Sequence, residues 1–450
     1  MEAATRERAE AGQGAEAGAF SDVPAIPLSK PLQTARFVFR PLPFLEHWRR
    51  QLGETFRASL FGPGDVVFLS DPDSIKRLFT ADRVNTIAPG RNIILEPLLG
   101  RSSLLLQEDE EHMRRRKLML PPFHGERMRG YERVIRDATE RAVAGWPLET
   151  EFALHPSMQA ITLEVILRAV FGVEDAERRE RLRDGLVEIL SASASPAALG
   201  FATPGLRRLP PFRRIAEMRD RTDELLYAEI AEHRRRPDLA ERDDILSMLL
   251  TARFDDGSQM EDRELRDQLM TLLLAGHETT ATGLAWTFDL LLHTPEALAR
   301  LEAELAGGEH EYLDAVINES LRVRPVVPFT GRELRQDSDL GGYRLAAGTV
   351  ILAGIYLAHT RGDNYPDPHA FRPERLLGDG APETYSWIPF GGGTRRCIGA
   401  AFAQLEMRVA IETILGAVSL RPASPELEKP VRRNVTLSPA NGTRVIATAR

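Results

Sequence analysis

Cys397 is the only cysteine among 450 residues, and it sits in the run Phe390-Gly391-Gly392-Gly393-Thr394-Arg395-Arg396-Cys397-Ile398-Gly399. A lone cysteine forms neither an internal disulfide nor a multi-cysteine zinc site. Gly393 permits a tight turn that brings backbone N–H groups toward the sulfur. Those groups, with Arg395 nearby, favour a thiolate over a thiol. Phe390 can cover the sulfur, and Gly399 leaves room for a flat ligand where the chain enters a helix. The plainer alternative is a structural cysteine buried in a glycine-rich loop.

Three further groupings could do chemistry. Ala275-Gly276-His277-Glu278-Thr279-Thr280 lies inside a helical run from Asp262 to Leu292, which would span about 45 Å at the rise of an α-helix. Gly276 weakens a helix interior, and Thr279 can bond back to the carbonyl one turn earlier and open the helix. Glu278 and Thr279 would then offer an acid and an alcohol for moving protons. The same residues read equally as a small-residue packing site with a surface acid. Glu319 and Arg322 share a helix face and can pair, a contact worth little on a surface. His112 and Arg116, four apart in His112-Met113-Arg114-Arg115-Arg116-Lys117, point the same way from a helix, either toward an anionic ligand or as a solvated basic face.

These motifs together resemble the cytochrome P-450 superfamily. The cysteine run has the form F-x-x-G-x-R-x-C-x-G and resembles that family's haem-binding loop, in which a cysteine thiolate ligates the iron. The resemblance implies heme b (iron protoporphyrin IX) with an axial thiolate from Cys397, and cofactor contacts from Phe390, Gly391, Gly399 and Ala275. The hexapeptide matches every position of the family's oxygen-binding pattern, (A/G)-G-x-(D/E)-T-(T/S). That match implies Glu278 and Thr279 as the pair delivering protons to O2. Glu319-Ser320-Leu321-Arg322 resembles the E-x-x-R motif, and Phe371-Arg372-Pro373-Glu374-Arg375-Leu376 resembles the segment that completes a structural triad with Arg375. Leu376 departs from the Phe of many members. His112, Arg116, Arg332 and Arg395 resemble the contacts to haem propionates, which suit the bidentate arginine fork.

The elements that must position these residues can be read from the pattern. Strand-like runs at Thr55–Phe61 and Val66–Ser70 form a hairpin around Gly62-Pro63-Gly64-Asp65. Short helices are expected over Phe44–Leu52 and, with an Asp cap, Asp73–Thr80. Pro24, Pro27 and Pro31 mark an extended entry segment, and residues 84–108 read as a long loop. Helices fill Asp109 to Leu321, interrupted by a mobile connection over Ser191–Pro211. A β-rich stretch covers Asp339–Leu357, coil covers Asn364–Pro382, a helix runs from Ala400 to Leu415, and β structure closes the chain. The expected fold is therefore mainly α with a small β lobe, the cytochrome P-450 fold of the resemblance. Residues 23–450 would form one catalytic domain after a disordered tail of residues 1–22.

Composition excludes several classes. The net charge of −8 and a pI near 5.8 argue against nucleic acid. No stretch approaches the roughly 18 apolar residues of a membrane span, and the Ala/Gly/Glu-rich start has no signal-peptide core. One cysteine suits a reducing, cytoplasmic compartment. An excess of 54 Arg over 4 Lys suggests a GC-rich bacterial genome.

By position in the resemblance, Ile94, Leu98, Phe201, Leu272, Ala275, Val327, Phe329 and Leu437 would meet substrate. Each could equally be plain core. Their apolar character favours a fatty acid, terpenoid or steroid. No flavin or iron–sulfur segment is present, so electrons would come from a ferredoxin and its NAD(P)H-dependent reductase. Arg114, Arg115, Arg396 and Arg408 are candidates for steering that acidic partner to a monomeric enzyme. A peroxygenase driven by H2O2 and a haem sensor without turnover are the alternatives, and the intact Glu278–Thr279 pair disfavours both.

Overall fold

The computed structural model describes residues 22–81, 86–87, 95–125, 127–193, 210–378, 384–433 and 435–450. The chain divides into two compact units. One comprises residues 1–91, 327–369 and 382–396, and the other 92–326, 370–381 and 397–450. The division falls inside the cysteine loop, between Arg396 and Cys397.

The first unit holds the main sheet. The hairpin expected from the sequence forms from Thr55–Leu60 and Gly64–Leu69, with Gly62 and Gly64 taking the left-handed backbone of the turn. Gly64–Leu69 pairs in parallel with Val350–Ala353, which pairs antiparallel with Thr330–Leu334, and Thr86–Ile87 closes the order. Central strands must bury both faces, and Val66 to Leu69 and Ile351 to Ala353 are apolar throughout. Val67, Leu69, Ile351 and Ala353 meet Ile75, Leu78 and Phe79 from the Pro72–Thr80 helix in one core. The cap of that helix is Asp71, which accepts from Ser74 N at 2.7 Å.

Four local expectations need correction here. The proline-marked entry segment contains a helix, Lys30–Phe39, because Pro31 falls in its first turn where no N–H is required. The next helix starts at Pro41 for the same reason. Thr330–Leu334 is a strand that the preceding prolines concealed. The end of the β-rich stretch turns helical at Ile355–His359.

The second unit is mainly helical, as predicted. Its longest element is Asp262–Leu292, begun by a capping box in which Glu261 N donates to Glu264 Oε2 at 3.1 Å. The helix is buried on nearly every side from Leu265 to Leu273 and again from Thr280 to Leu292. It packs against Leu154–Val165, Pro210–Arg235, Glu311–Val323 and Ala400–Ala417. Glu151–Ala153, Arg444–Ala449 and Val418–Pro422 form a small sheet, and Pro430–Arg433 pairs with Thr436–Pro439. Helices end at Ser193 and begin again at Pro210, so the edges of the expected connection are helical. Residues 194–209 lie outside the described residues.

Glu319, Arg322 and Arg375 converge in this unit. Arg322 Nε and Nη2 donate to the two Glu319 oxygens at 2.7 and 2.8 Å, and Arg375 Nε donates to Oε1 at 3.0 Å. Arg372 N also donates to Oε1 at 3.0 Å, and Arg322 Nη2 reaches Ala370 O at 3.2 Å. Both Glu319 and Arg322 side chains are 0% exposed, so the pair is no surface bridge. One carboxylate thus ties the Glu311–Val323 helix to the turn at Pro373–Leu376. Removing one partner would leave a buried charge uncompensated. Glu319→Gln is expected to lower stability by about 3–5 kcal/mol, read as a lower urea midpoint. A midpoint unchanged from wild type would remove the carboxylate from this role.

Candidate active site

The buried long helix opens at its middle. Ala275 is exposed, and Leu274, Gly276, Glu278 and Thr279 are half-buried, between two fully buried stretches. A Cβ on Gly276 would meet only Ile166 Cδ1, at 3.5 Å. Small side chains therefore leave helix backbone accessible on one face. Thr279 Oγ1 donates to Ala275 O at 2.5 Å, the back-bond expected of a threonine in a helix. The opened face thus presents a carbonyl and a hydroxyl side by side.

Glu278 points to the neighbouring Leu154–Val165 helix. Gln159 Nε2 donates to Glu278 Oε2 at 2.6 Å. Glu278 Oε1 is buried, has no hydrogen-bond partner among the described residues, and lies 3.8 Å from His155 Nε2. That nitrogen is 3.2 Å from Thr282 Oγ1, which is 3.4 Å from Ser438 Oγ. One turn along, Thr162 Oγ1 donates to His277 O at 3.1 Å and lies 2.9 Å from His277 Nδ1. The sequence reading missed His155, Gln159 and Thr162. Their i, i+4, i+7 spacing is a polar stripe along one face of the helix, and that was the signal available.

In the first unit, Gly391 and Gly393 are both at φ 67°, and Gly393–Arg395 makes a 3-10 turn. A Cβ on Gly392 would sit 2.3 Å from the Phe79 ring. Arg332, buried in its strand, donates to Gly392 O at 3.1 Å and lies over Phe79 at 5.2 Å. Phe390 stands edge-on to Trp387 at 6.2 Å. Arg395 is half-buried. In the second unit, Cys397 is exposed, and Gly399 caps the Ala400–Ala417 helix with open space around its Cα. His112 is buried and Arg116 half-buried on the Asp109–Met119 helix.

These donors fit an iron porphyrin. The accessible Cys397 thiol suits one axial bond, the open space at Gly399 suits a flat macrocycle, and His112 with Arg116 suits its carboxylates.

Other candidates fare differently. Leu98 and Leu272 are each 9% exposed. Leu437 is buried, its N donating to Val326 O at 2.9 Å and its O accepting from Trp286 Nε1 at 2.7 Å. Val327 is half-buried. Phe329 lies tilted against Phe37 at 5.5 Å and edge-on to Phe68 at 6.2 Å, joining an aromatic core in its own unit. Ile94 and Phe201 lie outside the described residues. Three of the four candidate docking arginines are already committed. Arg115 is buried between Glu111 and Glu264, Arg114 pairs with Asp256 at 2.6 Å, and Arg408 forks onto Asp314 at 2.9 and 2.7 Å.

A helix-rich unit with an opened acid–alcohol helix, a β-rich unit and a loop carrying the sole cysteine define the haem-thiolate class. The comparisons agree. The family model described as Cytochrome P450 matches residues 32–445. A "Putative cytochrome P450 135B1" of Mycobacterium tuberculosis is 42% identical over 428 residues, 94% of this chain and 90% of that one. A "Putative cytochrome P450 137" of the same organism is 40% identical over 398 residues, 88% of this chain and 83% of that one. The solved structure "Retinoic acid bound cyanobacterial CYP120A1" aligns with a TM-score of 0.83 and 26% identity, covering 95% of this chain and 99% of that one. The chain belongs to the cytochrome P450 family. It is a P450 monooxygenase, and the family implies haem, a cysteine thiolate, O2, a redox partner and a small-molecule substrate. No helix among the described residues is long and apolar enough to cross a membrane.

The buried imidazoles beside the opened helix make stability depend on pH. Burial pushes His277 down to about 4, and burial, with Arg433 and His277, pushes His155 down to about 4. An unfolded chain takes up these protons near pH 6.5 and the folded chain only near pH 4. Stability is therefore full above about pH 6.5 and is lost as pH falls toward 4. His277→Gln should flatten the decline of melting temperature over that window by removing one of the two groups. An unchanged slope would exclude His277 as a contributor.

Proposed function

We propose that this enzyme inserts one oxygen atom of O2 into an apolar molecule, with Cys397 as the thiolate ligand and Glu278 and Thr279 as the proton-delivery pair. The observation that carries the assignment is the accessible face of Ala275, Gly276 and Thr279 between the buried stretches Leu265–Leu273 and Thr280–Leu292 of the long helix. Haem, when bound, supplies the activation of O2, one atom entering the substrate and the other leaving as water.

The chain's own residues do the rest. Cys397 carries the chain's single thiol, and its thiolate form would be the ligand. His112, Arg116, Arg332 and Arg395 are the candidates for holding the two propionates. Ala275 keeps the oxygen side free of bulk. Thr279, bonded back to Ala275 O, keeps a hydroxyl at the opening, where it passes a proton onward and accepts one in return. Glu278, held by Gln159, stands next to it in the chain as the acid that reloads the hydroxyl through water.

Leu98 and Leu272 would line an apolar substrate site, with a fatty acid, terpenoid or steroid as the class. The retinoic acid of the structural relative, a terpenoid acid, fits that description. Electrons would come from a separate ferredoxin and reductase in the cytoplasm.

Three measurements test this. In an absorbance titration of the ferric protein, one class among retinoic acid, fatty acids, monoterpenes and steroids should shift the spin state. Cys397→Ala should abolish the thiolate signature of the haem spectrum, and a retained signature would overturn the ligand assignment. Thr279→Ala should keep NAD(P)H consumption while product per electron falls by about tenfold or more, the difference appearing as peroxide. Unchanged coupling would take Thr279 out of the mechanism.

A further inference from the structure

The first turns of the long helix carry a polar arrangement that oxygen chemistry does not use. Arg266, Asp267, Gln268 and Thr271 are buried, and all four reach the segment Leu98–Leu104. Arg266 Nη2 donates to Leu98 O at 3.0 Å, and Asp267 Oδ2 accepts from Ser102 N at 2.9 Å. Gln268 Oε1 accepts from Leu104 N at 3.1 Å while its Nε2 donates to Ser102 O. Thr271 Oγ1 donates to Ser103 Oγ at 2.7 Å. Gly100, at φ 82°, approaches so closely that a Cβ there would lie 1.9 Å from Asp267 Oδ1.

A chain segment buried without a strand partner must find other partners for its backbone groups. Here the long helix supplies them from side chains. The node is Arg266, which is 4% exposed. It also donates to Asp267 Oδ1 at 3.0 Å and, from the Pro210–Arg235 helix, to Asp223 Oδ1 at 2.6 Å. Arg219 of that helix donates to Pro97 O at 3.3 Å. Three elements of the same unit are thus joined around one guanidinium. Along the helix, Arg266 stands nine residues before Ala275, about 14 Å at the α-helical rise.

We infer that Arg266, Asp267 and Gln268 are positioning residues that fix Leu98–Leu104 as a rigid wall beside the substrate-facing stretch of the long helix. The enzyme then selects an apolar substrate by fit to a preset surface and not by folding this segment over it. Preorganised walls keep affinity that a loop ordered on binding would lose. The inference rests on the assignment of Leu98 and Leu272 to the substrate site.

The test uses the haem-loaded full chain and its Asp267→Asn and Arg266→Lys variants. Asparagine puts an NH2 where Ser102 N–H or Arg266 needs an acceptor, and the single nitrogen of lysine cannot span the Asp223, Asp267 and Leu98 oxygens that the guanidinium reaches from three nitrogens. Hydrogen exchange at the Ser102 and Leu104 amides should accelerate by about tenfold or more. Spectral titrations then use imidazole, which needs only the iron, and 4-phenylimidazole, whose ring must also meet the wall. Imidazole affinity should stay within about twofold while 4-phenylimidazole weakens by about fivefold or more. Unchanged exchange, or equal weakening of both ligands, would overturn the inference. Accelerated exchange with both affinities unchanged would overturn it too, placing the wall away from the ligand. If imidazole gives no shift even in wild type, the haem assignment itself fails, and exchange alone still decides whether these side chains hold the segment. Should Arg266→Lys fail to fold, Asp267→Asn carries the test.

Discussion

A helix buried on all sides has nowhere to place a reaction unless its own side chains are removed from one face. That constraint organises the large unit. Ala275 and Gly276 withdraw bulk from the middle of Asp262–Leu292, and Thr279 turns its hydroxyl back onto the Ala275 carbonyl. Either side of this gap the helix is buried by four neighbouring helices. A gap in an isolated helix would fray or fill with water. Here capping at Glu261 and burial to Leu292 hold the two halves in line, so the weak residues at the centre remain helical.

The polar groups that such burial would strand are dealt with by partners from other elements. Upstream of the gap, Arg266, Asp267 and Gln268 hold the Leu98–Leu104 backbone, and Thr271 meets the Ser103 hydroxyl. At the gap, Glu278 takes Gln159. Downstream, Thr282 meets His155, and Trp286 donates to Leu437 O. Polar residues along the helix thus meet several different neighbours. A long helix with so many dedicated contacts cannot rotate or slide without losing several at once, which fixes the rotational setting of Thr279.

What the sequence made legible was local. The cysteine loop, the hexapeptide and Glu319–Arg322 are defined by residues within one or two turns, and the structure finds each as a short-range unit. The hairpin at Gly62–Gly64 was readable because turn chemistry is local too. The partners of Glu278 were not, because Gln159 lies 119 residues away in the chain. The same applies to Ser102 and Asp267, 165 residues apart. A polar stripe on Leu154–Val165 could have flagged His155, Gln159 and Thr162 as paired with something, but not with what. The helix at Lys30 was missed for a different reason. Prolines were read as breakers, although in a first turn they favour a helix.

The arginines show how composition misleads in the other direction. A chain with so many guanidiniums invites a basic docking surface, and Arg114, Arg115 and Arg408 looked suitable by position. Arg115 is consumed by Glu111 and Glu264 beneath the capping box, Arg408 by Asp314, and Arg114 by Asp256 while lying over Phe254 at 3.9 Å. A guanidinium forked onto a carboxylate adds little to the field that a partner meets, since the pair is nearly neutral beyond a Debye length. Its stem and plane still cover apolar surface. In this protein Arg115 is an internal tie between helices, Arg408 a surface tie between two helices, and Arg114 a surface tie to the turn at Asp256. Steering of an electron donor would then fall to the remaining candidate, Arg396, which is exposed in the cysteine loop. A single charge gives weak long-range steering, so affinity for the donor would have to come mostly from short-range fit.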